Sequence, residues 1–501
     1  MIRGHAVGGP SEEAAGEPEG AYSGKAMNRT KVVATVGPAC RDEATLAAFI
    51  AEGVDVFRLN LSHETLDRHT AAVANIRAAA AARNATVAIL GDLCGPKIRV
   101  GEVSGGQFDI HEGDSLVIAR GQFPCTRERL CTNFDGLPDE VRPGQRILID
   151  DGQVRLRAME RRDGELLCRC EVGGTVATRK GVNLPDTELS LPSLTEKDRK
   201  DLAWAVEQGL DYIALSFVRS GRDLTELRGE LTRLGSDLRV VSKIERPEAV
   251  ARLDEIIELS DAVMVARGDL GVEMDVARVP LIQKDITHRC ARAGKPVIIA
   301  TQMLQSMIDS AVPTRAEVSD VANAILDGAD AVMLSAETSI GRHPIEALRV
   351  IRDIANQTEA FIAAGPEDSA PGASPQEFRI TSAVVRGAVG IARELNVKAL
   401  VVWTESGNTV RLLSKRRPGP LIVGLTASER VCRWMSLYYG VQPIQLPWRE
   451  PQQNMVAEVD RALCRRKLAA TNDAVVIIAG THLCEAGATN ALLIHLVGSS
   501  E

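Results

Sequence analysis

In the stretch "VVSKIERPEAV", residues 240–250, Lys243 and Glu245 stand two apart in an otherwise apolar run. Side chains two apart share one face of a strand, and a charge buried on such a face needs a partner, a metal or a function. Other apolar runs end in the same way. "RLNLSH" gives Arg58, Asn60, Ser62 and His63, "AILGD" gives Asp92, and "VARGD" gives Arg267, Gly268 and Asp269. Thr301 follows "PVIIA", and "MLSAE" adds Ser335 and Glu337. Glu245 and Asp269 are carboxylates suited to Mg²⁺ or Mn²⁺. Arg58 offers a planar fork and Lys243 a point charge for phosphate or carboxylate. "DLGVE", after Gly268, reads as a short helix start whose free amides can meet an anion. An internal salt bridge is the plain alternative for Lys243 and Glu245, but a whole ring of charges on one end argues for a site. The chemistry that fits is metal-assisted, on a small phosphorylated or carboxylated substrate. The residue types alone do not separate phosphoryl transfer from aldol or enolate chemistry. Neither G-x-x-x-x-G-K-[ST] nor G-x-G-x-x-G occurs, so a nucleotide is not expected on a P-loop or Rossmann turn.

Positioning these residues requires strands with a common direction. From Thr30 short apolar runs alternate with helical patterns such as "TEKDRKDLAWAVEQG" and "AEVSDVANAILDGAD". Alternation of this kind means parallel strands with crossovers. Eight runs, starting at "KVVATVG" (31–37) and ending at "AVMLS" (331–335), point to a (β/α)8 barrel over 27–93 and 186–365. In such barrels the site lies at the C-terminal strand ends, which is where the polar residues above fall. Residues 94–185 break at Gly, alternate in polarity and carry no long helix, as expected of a small inserted β domain. Residues 374–501 read as an open α/β domain, and residues 1–26 as a disordered tail.

The bulk composition restricts the partners. With 501 residues, 45% hydrophobic and 25% charged, the chain is expected to be a soluble protein of two or three domains. A net charge of −8 argues against nucleic acid. No apolar run reaches membrane-spanning length and no signal peptide is evident. The ten cysteines lack metal spacing, so reduced thiols in a cytoplasmic protein are expected.

"TKVVATVGPAC", "RLNLSH", "GDLCGPKIRVG", "LIDDG", "RKGVNLP", "SKIE", "MVARGDLGVE", "ATQMLQSM" and "PTRAEVSDVANAILDGADAVMLSAET" resemble the pyruvate kinase family. The similarity runs from about residue 29 to residue 498. It implies a (β/α)8 barrel, an inserted β-barrel lid and a C-terminal α/β domain in a homotetramer. It also implies phosphoryl transfer from phosphoenolpyruvate to ADP in glycolysis, giving pyruvate and ATP. By this resemblance Glu245 and Asp269 hold Mg²⁺, and Arg58 and Lys243 take the transferring phosphoryl group. Lys243 also steadies the enolate oxygen. The Gly268 and Asp269 amides, with the Thr301 hydroxyl, hold the substrate carboxylate. Asn60, His63, Arg99 and Lys180 match nucleotide positions. Asn60, Ser62, Asp92 and Leu93 match monovalent-cation positions.

Several readings stay open at this level. Lys97 stands where K⁺-dependent relatives carry Glu, which implies an enzyme that does not require K⁺. Its ammonium can supply the charge a bound ion would bring, or it can simply pair with a lid carboxylate. Asp151 and Gly152 in "IDDG" are expected to sit on the lid, either closing over nucleotide or forming a plain hairpin turn. "TESGNT" (404–409) matches a sugar-phosphate effector loop, yet Glu405 would repel phosphate, and an ordinary capping turn is the alternative. Arg315 and Glu317 are expected to cap a helix, and Trp434, Tyr438 and Tyr439 to pack. A Mg²⁺-dependent lyase on the same barrel and a catalytically dead effector-binding relative are the rivals. The inserted lid with Lys180 argues against the first. The joint presence of Lys243, Glu245, Asp269 and Thr301 argues against the second.

Overall fold

The computed structural model describes residues 29–364, 378–447, 455–480 and 489–499. The expected tail over 1–26 and the expected start of the third domain at 374 lie outside them. Eight parallel strands close into a barrel: Lys31–Thr35, Val56–Asn60, Ala88–Asp92, Tyr212–Leu215, Arg239–Ile244, Ala262–Ala266, Val297–Ala300 and Ala331–Leu334. The first pairs with both the second and the eighth, Val33 opposite Val56 and Lys31 opposite Ala331. Alternation sorts the residues. Val32, Phe57, Ile89, Ile213, Val240, Val263, Ile299 and Val332 pack outward in the helix-facing core. Val33, Leu90, Ala214, Val241, Met264, Ile298 and Met333 fill the barrel interior. Most strand positions are apolar on both faces for this reason, and polar residues such as Arg58, Asp92 and Lys243 gather toward the mouth.

The helices are specified at their starts. Thr195 and Asp198 form a reciprocal capping box before Glu196–Glu207. Thr314 and Glu317 form another before Arg315–Leu326, so Glu317 caps as its sequence suggests. Between the third and fourth barrel strands lie a six-stranded sheet and a two-stranded ribbon around one core that includes Ile110, Leu116, Ile147 and Leu166. The hairpin Val154–Arg162 to Glu165–Val172 turns at Asp163 and Gly164, both at positive φ, where Asp-Gly is the favoured pair. The inserted unit is fastened to the barrel. Arg246 donates to the Leu184 and Thr187 carbonyls, Arg219 to those of Leu189 and Leu191, and Asn183 to Glu273.

The C-terminal sheet runs Val441–Gln445, Leu421–Thr426, Ala399–Trp403, Ala474–Gly480, Thr489–Leu496, with only the last strand antiparallel. Its core is continuous with the barrel interior through Tyr212, Trp434 and Tyr438. The Trp434 indole donates to the Asp211 carbonyl, and Arg239 lies over its ring at 4.2 Å. Trp434 and the two tyrosines therefore pack, and they do so across the domain junction. Among the described residues no helix is long and apolar enough to cross a membrane.

One ion pair at the junction is fully buried. Lys415 Nζ, from the C-terminal domain, lies 2.5 Å from Asp330 Oδ2 at the foot of the eighth barrel strand. Asp330 also accepts the Val297 amide, while its Oδ1 has no hydrogen-bond partner among the described residues. Removing one member of such a pair leaves an uncompensated charge. Lys415→Met is therefore expected to lower stability by about 3–5 kcal/mol, as measured by urea unfolding. A loss below about 1 kcal/mol, the range of an exposed pair, would contradict the role given to the pair.

Candidate active site

The polar residues of the strand ends form a connected cluster at the C-terminal mouth. Asp92, only 2% exposed, is its centre. Arg58 donates to Asp92 Oδ2 through Nε at 2.8 Å and lies 2.7 Å from it through Nη2. Its Nη1 donates to Thr35 Oγ1 at 3.0 Å. Lys243 Nζ lies 3.3 Å from Asp92 Oδ1 and 2.7 Å from Glu245 Oε1, and donates to Ser216 Oγ at 2.8 Å. Ser216 in turn donates to the Leu93 carbonyl at 2.7 Å. Glu245 Oε2 accepts the Phe217 amide at 2.8 Å. Lys243 and Glu245 do share a strand face, and they share it with Asp92 and Arg58 of neighbouring strands.

The charges hold one another. Burial alone would discharge Lys243, but Asp92, Glu245 and Asp269 raise its pKa above the ordinary lysine value. Burial alone would raise Asp92, but Lys243 and Arg58 hold it below the ordinary carboxylate range. Glu245 is raised by burial and by Asp269, against the pull of Lys243. Burial and the neighbouring Asp269 thus favour a further cation beside it. Glu245 and Asp269 line the same cavity of about 80 Å³, together with Arg58, Lys243 and Thr301. Two hard oxygen donors beside open volume fit Mg²⁺, which takes few protein carboxylates and fills its shell from substrate and water.

Thr301 and Gly268 meet across adjacent strands. The Gly268 amide donates to Thr301 Oγ1 at 2.7 Å, and that hydroxyl donates to the Ala300 carbonyl. Asp269 lies in the first turn of the helix Arg267–Glu273. Arg267 clamps the Thr301 carbonyl at 2.9 Å and pairs with Asp320 at 2.7 Å. Thr301, Gln302 and Phe217 all have positive φ, at 70°, 55° and 56°. For a β-branched or bulky residue this is a strained conformation, and all three sit at the mouth.

Three of the four positions matched to a monovalent cation, Asn60, Asp92 and Leu93, already accept protein donors. Asn60 Oδ1 accepts the Ser62 amide at 3.2 Å, Asp92 accepts Arg58 and Lys243, and the Leu93 carbonyl accepts Ser216. Glu337, placed in the ring by its strand end, turns into the wall instead. It is buried and accepts the Ser335 and Leu304 amides.

A second cavity of about 250 Å³ opens between barrel and insertion, lined by Lys97, Arg99, Asp151, Lys180, Asp269 and Glu273 among others. It shares Lys97, Phe217 and Asp269 with the smaller one. Lys180 pairs with Asp150 at 2.9 Å, and Arg99 donates to the Arg179 carbonyl at 2.9 Å. Asp150, Asp151 and Gly152 form a positive-φ turn at its edge. His63 has its pKa lowered by burial and by Lys97, Arg99 and Arg58, so its imidazole is neutral at pH 7. In the C-terminal domain Thr404 Oγ1 accepts the Gly407 amide at 2.9 Å just before the helix Asn408–Ser414, the geometry of a helix-starting turn.

The chain as a whole is similar to proteins of a known family. The family description "Pyruvate kinase, barrel domain" matches residues 27–348, and "Pyruvate kinase, alpha/beta domain" matches 382–495. The chain belongs to the pyruvate kinase family. The pyruvate kinases of Geobacillus stearothermophilus and Agrobacterium vitis are each 40% identical to it over 94% of its length. It covers 80% of the first and 98% of the second. The crystal structure of a pyruvate kinase from Cryptosporidium parvum is similar with a TM-score of 0.86 at 34% identity, covering 94% of this chain and 96% of that one. The family's barrel and α/β domain are thus both present.

Ser216, Thr35, Arg246 and Glu273 were not singled out from the sequence. Each is an ordinary residue type whose partner comes from a distant strand or from the insertion, and only the register of the barrel brings them in. Asp92→Asn would leave Arg58 and Lys243 facing a neutral amide. A stability loss of about 3–5 kcal/mol is expected in urea unfolding. Because Asp92 is held below its ordinary pKa, its contribution is complete above the ordinary carboxylate range and is lost as pH falls through the lowered value. The stability difference between parent and variant should therefore shrink in acid. A difference constant down to acid pH would remove Asp92 from its central place.

Proposed function

We propose that this mouth transfers a phosphoryl group from phosphoenolpyruvate to ADP, giving pyruvate and ATP. The observation that carries the reading is the Lys243 ammonium, fixed by Asp92, Glu245 and Ser216 beside the Arg58 guanidinium and facing open volume. Phosphoryl transfer needs alignment and charge neutralisation more than covalent chemistry. Arg58, steadied by Asp92 and Thr35, takes the phosphoryl oxygens as a planar fork. Lys243 neutralises the phosphoryl group as it moves and the enolate oxygen it leaves, before a proton reaches the methylene carbon. Its raised pKa keeps it charged throughout. Thr301 and the Gly268 and Asp269 amides orient the substrate carboxylate, the Gly268 amide and the Thr301 hydroxyl turning to it from the bonds they make to each other and to Ala300. Asn60, the neutral His63 imidazole, Arg99 and Lys180 line up the ADP phosphates from the barrel and the insertion. Glu245 and Asp269 would hold Mg²⁺ or Mn²⁺, which supplies neutralisation of phosphate charge that Arg58 and Lys243 leave over. The insertion excludes water, which would otherwise accept the phosphoryl group. A cytoplasmic, glycolytic homotetramer completes the reading.

A coupled assay with phosphoenolpyruvate, ADP and Mg²⁺ tests the proposal directly, and absence of pyruvate formation would reject it. In the same assay Lys243→Met is expected to lower turnover by at least the roughly 3–4 kcal/mol associated with a lost transition-state donor. Activity within about tenfold of the parent, some 1.4 kcal/mol, would remove Lys243 from the mechanism.

We further propose that activity does not require K⁺. In support, the oxygens of Asn60, Asp92 and Leu93 already accept protein donors, and Lys97 places an ammonium on the wall of the same cavity. Lys97 also acts on His63 and on the Asp151 carboxyl, so its charge reaches both sides of the cleft. Turnover in tetramethylammonium chloride is expected to match that in KCl at equal ionic strength. Lys97→Glu is expected to create K⁺ dependence. Strong K⁺ activation of the parent would sink this part of the reading and leave the reaction assignment intact.

A further inference from the structure

Four of the described cysteines, Cys125, Cys131, Cys168 and Cys170, lie in the core of the inserted domain. Two of them meet. Cys125 and Cys131 flank the short strand Arg129–Leu130, and their sulfurs are 3.6 Å apart. The Cys131 amide donates to Cys125 Sγ at 3.3 Å, and the Cys131 thiol donates to the Phe123 carbonyl at 3.2 Å. Both sulfurs lie over Gly101. A β-carbon there would stand 2.5 Å from Cys131 Sγ and 3.2 Å from Cys125 Sγ. The Gly101 amide donates to the Cys131 carbonyl at 2.8 Å. Two residues on, Asn133 grips the segment that enters the cleft. Its Oδ1 accepts the Arg99 amide at 2.7 Å, and its Nδ2 donates to the Lys97 carbonyl at 3.0 Å. Lys97 and Arg99 both line the larger cavity.

We propose that Cys125 and Cys131 form a reversible disulfide, an oxidation site in the insertion that sets how Lys97 and Arg99 meet the nucleotide. The nucleotide half of this inference rests on the function proposed above. The oxidant is hydrogen peroxide. One thiolate attacks a peroxide oxygen, the O–O bond breaks, and the sulfur becomes a sulfenic acid as water leaves. The second thiol attacks that sulfur, the S–S bond forms, the S–O bond breaks and a second water leaves. The two thiols lose two electrons in all, and the peroxide is reduced to two waters. Burial pushes the Cys125 thiol up to about 11, and both sulfurs are buried, so the reaction waits on opening of the insertion. Reaching an S–S length of about 2.05 Å requires the sulfurs to close by about 1.5 Å. That movement acts on the Cys131 backbone, and through Asn133 on Lys97 and Arg99.

The test uses the full chain, treated with hydrogen peroxide, denatured, alkylated and mapped by mass without reduction. A peptide linking residues 125 and 131, lighter by the two hydrogens lost on bond formation, is expected and should vanish with dithiothreitol. Full alkylation of both residues, or pairing of either with Cys168 or Cys170, would overturn the site. In the coupled assay the oxidised protein is expected to show a KM for ADP raised roughly threefold or more, with the KM for phosphoenolpyruvate unchanged. Cys125→Ser and Cys131→Ser should each abolish the shift while keeping Cys94, which lines the substrate cavity. A disulfide with an unmoved KM for ADP would overturn the coupling to Lys97 and Arg99. The mass map reads the disulfide whether or not the protein turns over ADP, so failure of the function assignment is seen separately.

Discussion

A carboxylate with almost no access to water, Asp92, lies between a guanidinium and an ammonium at the top of a barrel. Each of these charges would be untenable alone in such surroundings. Together they are mutually neutralising, and the neutralisation fixes the geometry. Arg58 comes from the second strand, Asp92 from the third and Lys243 from the fifth. The closure and register of the whole barrel are therefore what allow the cluster to exist. In return, the cluster holds the Arg58 and Lys243 side chains in set positions.

Around this centre the mouth is built from residues held in unfavourable backbone conformations. Phe217 and Thr301 follow the fourth and seventh strands at positive φ and direct an amide and a hydroxyl toward Glu245 and Gly268. The strain is held by the strands beneath and by Arg267, which grips the Thr301 carbonyl. The inserted domain is held by a different device. Arg219, Arg246 and Asn183 tie its exit segment to the barrel, so the cleft wall that carries Lys180 is anchored close to the wall that carries Asp269.

Much of this was legible in the residues. The eight strands could be read because runs such as "AVMVA" are apolar on both faces, and the polar residues that end them fell at the mouth because interior positions alternate with helix-facing ones. The ends were overrun. "KVVATVG" extends to 37 by composition, yet the strand stops at Thr35, one residue past its last pairing with the eighth strand at Ala34. Glu337 looked like a mouth residue and is a wall residue, since its side chain finds two backbone amides sooner than it finds the cavity. Nothing in the letters Phe217 or Thr301 announces a left-handed backbone. Ser216 was invisible because its partners, Leu93 and Lys243, lie on two other strands. The nearness of Cys125 to Cys131 depends on Gly101 lying beneath them, and the packing of Trp434 depends on where the barrel ends.

The apolar interior of the barrel runs without interruption from Met264 and Leu90 past Tyr212 to Trp434 and Val431 of the C-terminal domain. The floor of the catalytic barrel is thus made of another domain's side chains. The two regions share one core, although they are separate architectures. A barrel cut free at residue 364 would be an open-bottomed vessel, with Tyr212 and the Asp211 carbonyl left facing water. For anyone assembling chimaeras within this family, the natural seam is not the linker between the domains. It lies inside the C-terminal domain, beyond the residues that serve as the barrel's floor.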